Sequence, residues 1–140
     1  MMNKNIFRSI GAVLAGLVTI ILLSAITDTI LEASGVFPTM EEQQRSGFND
    51  GWLQILALTY RFIYTLLGGY LTAKLAPASP VVHVIVLAVI GTTVGILGLI
   101  AVASLGIFPL WFSIAVIVIS FPALWLGGKL GVNGRRVPAV

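Results

Sequence analysis

The sequence predicts an all-α membrane protein, a four-helix bundle with antiparallel up-down connections and both termini on the cytoplasmic side. Two observations predict this class. Of the 140 residues, 58% are hydrophobic and 9% are charged, whereas a soluble domain carries about 25% charged residues. The apolar residues also gather into four runs, each close to the roughly 20 residues that a helix needs to cross a membrane. The length allows one domain, over residues 1–140.

The first predicted span covers about residues 6–27. Lys4 and Arg8 precede its apolar run, and residues 23–25 resemble a weak cleavage site, so a secretory signal peptide is the rival interpretation. We favour a retained span because the apolar run is longer than the core of a usual signal peptide and further spans follow it.

A polar outer loop over residues 33–51 separates the first two spans. Pro38 indicates a helix stop, and residues 40–45 could form a short surface helix. Asn49 or Asp50 could cap the next span, because both residue types are favoured at helix N-termini.

The remaining spans are predicted over about residues 52–73, 81–104 and 109–128, and they are joined by short connections. The second span is the most polar of the four, and the third is the most uniformly apolar. Pro122 lies inside the fourth span, where it is expected to kink or loosen the helix.

Basic residues indicate the orientation, because Lys and Arg are enriched in cytoplasmic loops. With four spans, Arg45 and all five acidic residues lie on the side opposite the termini. The other basic residues, apart from one inside the second span, lie on the side of the termini: Lys4, Arg8, Lys74, Lys129, Arg135 and Arg136. This pattern predicts that both termini face the cytoplasm.

Arg61 is the basic residue inside the second span, roughly 13 Å below its outer end at 1.5 Å per residue. An unpaired guanidinium at that depth costs at least ~2.5 kcal/mol. Asp28 is the first candidate partner and Glu32 the second. If the first helix continues to about Ala33 and the second begins near Asn49, then Asp28 and Arg61 lie at similar depths.

Three interpretations of Arg61 remain open. The favoured one is a structural pair with Asp28 that fixes the register of two helices. The second is a pocket open to the outer side in which Arg61 contacts an anion, and the third is simple snorkelling toward the headgroups. The candidate ligand-binding residues for the pocket are Arg61, Tyr60, Tyr64, Asp28, Glu32 and Gln54.

Small residues at four-residue spacing predict close helix packing, because lipid gives apolar helices no hydrophobic reason to associate. We expect packing within the bundle rather than between two chains, although a homodimer is the alternative. The candidate packing residues are Gly91 and Gly95, Gly11, Gly16 and Gly68, and the spacing recurs at Gly127 and Gly131.

The sequence shows no motif for an enzyme, a metal site or a cofactor. It has one histidine and no cysteine, so no Cys/His metal set is possible. His83 is expected to be a solvated boundary residue rather than part of a proton relay. Scattered charges give no basic face for nucleic acid. The expected partners are membrane lipids and a homodimer or larger membrane complex.

Several short motifs extend along most of the chain: Thr27-Asp28, Tyr60-Arg61 with Tyr64, the segment 69–77 and the segment 125–130. With these motifs the chain resembles a set of small, uncharacterised bacterial membrane proteins with four spans. The resemblance implies the bacterial inner membrane and carries no known activity. Small multidrug transporters have a similar length, but the acidic residue of their first span is missing from residues 16–19.

The sequence therefore predicts a non-enzymatic structural or accessory membrane subunit with an inter-helix pair between Asp28 and Arg61. The alternative is a protein that binds or transports a small anionic or amphipathic molecule, or a lipid, through an outward-facing pocket at Arg61.

Overall fold

The computed structural model describes residues 4–135, and all regular structure within this range is helical. Arg136, which we counted among the inner charges, lies outside the described residues. The all-α prediction is confirmed for the described range. It contains a short helix, α2 (Met40–Ser46), and four long ones: α1 (Lys4–Ala33), α3 (Gly51–Leu75), α4 (Pro80–Ala103) and α5 (Leu110–Arg135).

Three helices are long and apolar enough to cross a membrane: Lys4–Ala33, Pro80–Ala101 and Leu110–Gly134. They confirm the predicted membrane character of the chain. The helix α3 has 25 residues, but it is more polar and is not one of the three. Many of the large apolar side chains of α1, α4 and α5 are exposed, as they would be toward lipid, for example Leu14, Val18, Ile26, Val89, Leu97, Ile114 and Val118.

The helix α1 continues past the predicted end of the first span to Ala33. Two residues after its end lies Gly35, whose positive φ of 84° is easily adopted by a residue without a Cβ. The predicted short helix α2 begins with a capping box, in which the Thr39 and Glu42 side chains each accept from the other's backbone N–H. The Asp50 carboxylate caps α3 by accepting from two backbone N–H groups.

The helix α3 lies at the centre and packs most extensively against α5 and α1. At one end of the contact with α1, the Thr72 hydroxyl donates to the Ala12 carbonyl oxygen across 2.9 Å. At the other end Arg61 contacts Asp28. Because the residue numbers rise along one helix as they fall along the other, α1 and α3 run in opposite directions.

Adjacent glycines on α3 face two different neighbours. A Cβ on Gly68 would lie 2.8 Å from the Gly16 carbonyl oxygen of α1, and a Cβ on Gly69 would lie 2.8 Å from the Leu124 carbonyl oxygen of α5. On α5, a Cβ on Gly127 would clash with the Leu66 carbonyl oxygen. These glycines allow the backbones of three helices to approach closely.

The other predicted packing glycines differ from one another. A Cβ on Gly95 would lie 3.2 Å from Ile117 of α5, which is a close contact. A Cβ on Gly11 or Gly91 would meet nothing within 4 Å. We expected packing within the chain at these two positions, but the structure has open space there. The expectation failed because spacing alone does not show which way a glycine faces.

Two apolar clusters hold the helices together. One lies near the start of α3 and includes Phe37 and Phe48 of the loop, Tyr60, Ile107 and Phe112. We call it the loop-side cluster. The other lies at the opposite end and comprises Val13, Ala73, Val84, Leu87 and Leu124. The charged pair of Asp28 and Arg61 lies beside the loop-side cluster, whose Tyr60 bonds to Asp28.

Candidate functional site

Arg61 of α3 is paired with Asp28 of α1. The distance from Arg61 Nη2 to Asp28 Oδ2 is 2.7 Å, and the two side chains are 28% and 30% exposed. Asp28, the first of the two candidate partners of Arg61, is therefore the residue that binds it. The extension of α1 to Ala33 and the start of α3 at Gly51 bring the pair to one level.

Tyr60 is the second α3 residue that binds the Asp28 carboxylate. Its hydroxyl donates to Asp28 Oδ1, so each carboxylate oxygen accepts from a different α3 side chain. The centre of the Arg61 guanidinium also lies 5.8 Å from the centroid of the Tyr60 ring. Two donors on consecutive residues of α3 thus bind one acceptor on α1, and this arrangement fixes both the depth and the rotation of α3.

Tyr64 adds a neutral contact between the same helices. Its hydroxyl lies 2.7 Å from Thr27 Oγ1, and its ring centroid is 5.8 Å from that of Tyr60. Under the pocket interpretation both tyrosines were candidate ligand-binding residues. Neither of them lines the largest space beside Arg61, because their hydroxyls are directed to α1.

Glu32 and Gln54 form hydrogen bonds with α2 and the loop rather than with Arg61. Gln43 Nε2 of α2 donates to the Pro38 carbonyl oxygen across 2.8 Å and lies 3.4 Å from Glu32 Oε1. The buried Gln54 donates from Nε2 to the Phe48 carbonyl oxygen across 2.7 Å. These bonds seat the loop and α2 over the end of the long helices, so the two residues are structural in this arrangement.

A cavity of about 340 Å³ lies beside the charged pair. All four long helices contribute to it, and Asp28 and Arg61 border it. Gly91 and Gly95 are also in its wall, which explains the open space at Gly91. The glycine spacing in α4 therefore helps to make a cavity rather than only a packed interface.

Two polar atoms at this site are buried without a hydrogen-bond partner among the described residues. They are Nε of Arg61 and Oγ1 of Thr92, and both residues border the cavity. A buried polar group without a partner costs about 1–3 kcal/mol. Sequence reasoning missed Thr92, because a threonine in an apolar helix usually bonds to its own backbone, as Thr93 does to the Val89 carbonyl oxygen.

Arg61 also borders two smaller spaces. One, of about 70 Å³, lies on the loop side with Glu32, Gln43 and Phe48. The other, of about 230 Å³, lies along α4 and α5 with Gly98 and Ser113. The guanidinium therefore separates the loop side of the molecule from the 340 Å³ cavity.

His83 lies apart from this site, in the first turn of α4, where its Nδ1 is 3.0 Å from the Ser79 carbonyl oxygen.

No protein-family model matches the chain, and neither a curated protein nor a solved structure is significantly similar to it. The candidate function is therefore argued from the geometry of the charged pair and the cavity.

Proposed function

We propose that the chain is a four-span protein of the bacterial inner membrane with both termini cytoplasmic. Three helices have the length and composition of spans. The fourth, α3, has 25 residues, enough for about 37 Å at 1.5 Å per residue. It is polar chiefly where it contacts other helices, since Gln54, Thr65 and Thr72 are buried. The placement of Lys and Arg supports the orientation.

In this proposal the protein is a non-enzymatic structural or accessory membrane subunit. The observation that carries the proposal is the bonding of Asp28 by both Arg61 and Tyr60. A charged pair of this kind sets the register of two helices, because any other register leaves a charge unpaired in an apolar environment. The close glycine contacts between α3 and its neighbours support the same role.

A charge-free double variant tests the structural role of the pair. We would compare Asp28→Leu, Arg61→Met and their combination with the wild type, after gentle solubilisation and native gel electrophoresis. Each single variant leaves one unpaired charge, so the native-size species should be lost or reduced. The double variant should keep it, because apolar side chains can replace a pair whose only task is to hold helices. Loss of the species in the double variant as well would contradict a structural role.

The native-size wild-type species also tests the accessory role. Its components can be identified by mass spectrometry after excision from the gel. A second, stoichiometric membrane protein in the species would support an accessory subunit. A species that contains this chain alone would contradict that part of the proposal and favour a homotypic bundle.

A second candidate function, the binding of a small amphipathic molecule, is favoured by one specific observation. The cavity of about 340 Å³ borders the partly exposed side chains of Asp28 and Arg61. An interface that served only to hold helices would not need this space. The chemistry of the cavity indicates which molecule could occupy it.

A further inference from the structure

The cavity beside the charged pair has apolar walls and one polar end. Leu17 and Ile20 of α1, Leu87 of α4, and Val116 and Leu124 of α5 are among the apolar residues of its wall. Water needs two to four polar partners to occupy a cavity stably, and such walls do not supply them. An apolar chain is therefore the better occupant for most of this volume.

The cavity opens between α1 and α4. Ile21 and Ala25 of α1 and Val94 of α4 line it and are also exposed on the outside of the molecule. In a four-span arrangement this mouth faces the lipid chains rather than the aqueous phase. A molecule already dissolved in the membrane could enter sideways, whereas the loop and the loop-side cluster cover the approach to Arg61 from the loop side.

The polar end has no net charge to offer a ligand. The Asp28 carboxylate, 2.7 Å from Arg61 Nη2, neutralises the guanidinium. An anion would approach Asp28 at close range, and a cation would approach Arg61. Without screening by water, either like-charge contact is costly. This geometry disfavours the anionic ligand that the sequence suggested.

The polar end does offer hydrogen bonds. The Arg61 and Asp28 side chains border the cavity and are 28% and 30% exposed. A neutral hydroxyl can donate to a carboxylate and accept from a guanidinium, and a carbonyl oxygen can accept from a guanidinium. A volume of about 340 Å³ lies at the small end of the range of ligand sites, about 300–1,000 Å³, which suits one chain rather than two.

We propose that this cavity binds one neutral, single-chain amphiphile, of which a monoacylglycerol is the model compound. Its carbonyl or hydroxyl oxygens bond to the exposed part of the Asp28–Arg61 pair, and its chain lies between α1 and α4. This site goes beyond the structural role of the pair and uses the pair only as a neutral, pre-formed polar end.

Photolabelling in nanodiscs tests the ligand class. The probe is a monoacylglycerol with a diazirine and an alkyne in its chain, incubated with the full-length protein and quantified by intact-mass spectrometry. We expect one label per chain. An unlabelled monoacylglycerol should displace the probe at a concentration at least about tenfold lower than an alkyl sulfonate or an alkyl trimethylammonium of equal length, because burying an unpaired like charge costs well over 1.4 kcal/mol.

A pair of matched variants tests the location. Gly91→Leu fills the cavity, whereas Gly11→Leu adds the same side chain at another open position outside it. We expect Gly91→Leu to abolish saturable labelling and Gly11→Leu to match the wild type.

Four results would overturn the proposal. Three are unchanged labelling of folded Gly91→Leu, equal loss in Gly11→Leu, and stronger competition by the sulfonate or the ammonium compound. The fourth is the absence of saturable labelling in folded wild type. None of these results affects the structural proposal, which is tested separately by the native-size species of the double variant.

Discussion

Tyr60 and Arg61, neighbours on α3, donate to different oxygens of the same carboxylate, that of Asp28 on α1. In a helix, consecutive residues point about 100° apart, and therefore two adjacent residues rarely reach one small group. They do so here because the arginine is long and the tyrosine hydroxyl is remote from its backbone. The carboxylate thus fixes both the depth and the rotation of α3 relative to α1.

The first prediction concerns the energetics of the charged pair. Removing Asp28 or Arg61 alone should lower the free energy of unfolding by about 2–3 kcal/mol, because the remaining charge has no partner in an apolar environment. In the double variant Asp28→Leu/Arg61→Met most of this loss should disappear. Thermal unfolding in detergent, followed by tryptophan fluorescence, measures the cycle. Additive losses in the double variant would show that the two charges do not interact.

The second prediction separates the two tyrosines. Tyr60→Phe removes a donor to a charged group, so it should cost about 1.5–3 kcal/mol, whereas Tyr64→Phe removes a neutral contact with Thr27 and should cost about 0.5–1.5 kcal/mol. The same unfolding experiment measures both. In an Asp28→Leu background Tyr60→Phe should lose most of its effect. An equal effect in both backgrounds would mean that the hydroxyl acts elsewhere.

The third prediction concerns the glycine contact between α3 and α5. In Gly127→Ala the new methyl group would clash with the Leu66 carbonyl oxygen, so the helices must separate at a cost of about 1–3 kcal/mol. The control is Gly11→Ala, where a Cβ meets nothing within 4 Å. The melting temperature should fall clearly in the first variant and stay within error in the second. A similar fall in both would point to contacts between chains.

The fourth prediction tests the orientation and the number of spans. The protein has no native cysteine, so a single introduced cysteine can be labelled without background from native thiols. Glu42→Cys lies in α2, and Ala78→Cys lies between α3 and α4. In intact cells whose outer membrane has been permeabilised, a membrane-impermeant maleimide should label position 42 but not position 78, which should react only after lysis. The reverse pattern, or equal labelling, would contradict a four-span protein with cytoplasmic termini.

The helices and the charged pair follow from the sequence for simple physical reasons. Long apolar runs can be predicted to be membrane helices without knowledge of their neighbours, because lipid-facing side chains can have any apolar identity. Arg61 inside such a run requires an acidic partner at the same depth, and the chain has acidic residues only at one end of α1 and in the loop. Asp28 and Glu32 are the two whose distance from the turn can match the depth of Arg61, so they are the two candidate partners.

The surroundings of the pair do not follow from the sequence, because they depend on the rotation of each helix about its axis. Gly91 and Gly95 have the spacing of a packing motif, yet only Gly95 closely approaches a neighbouring helix. Tyr60 has the chemistry of a pocket wall, yet its hydroxyl is occupied by Asp28. Thr92 is one of two adjacent threonines, and only its direction distinguishes it from Thr93.

The central position of the most polar long helix bears on biosynthesis. A segment with an arginine near its middle partitions weakly into a bilayer on its own. Ribosomal synthesis delivers α1 before α3, so Asp28 is already present when Arg61 emerges. In a four-span protein, α3 would then leave the translocation machinery beside α1 rather than alone. Pairing with Asp28 would lower the cost of placing Arg61 in the membrane, so the pair would assist the insertion of α3. A variant without Asp28 would be defective in entering the membrane even before its folded stability came into play.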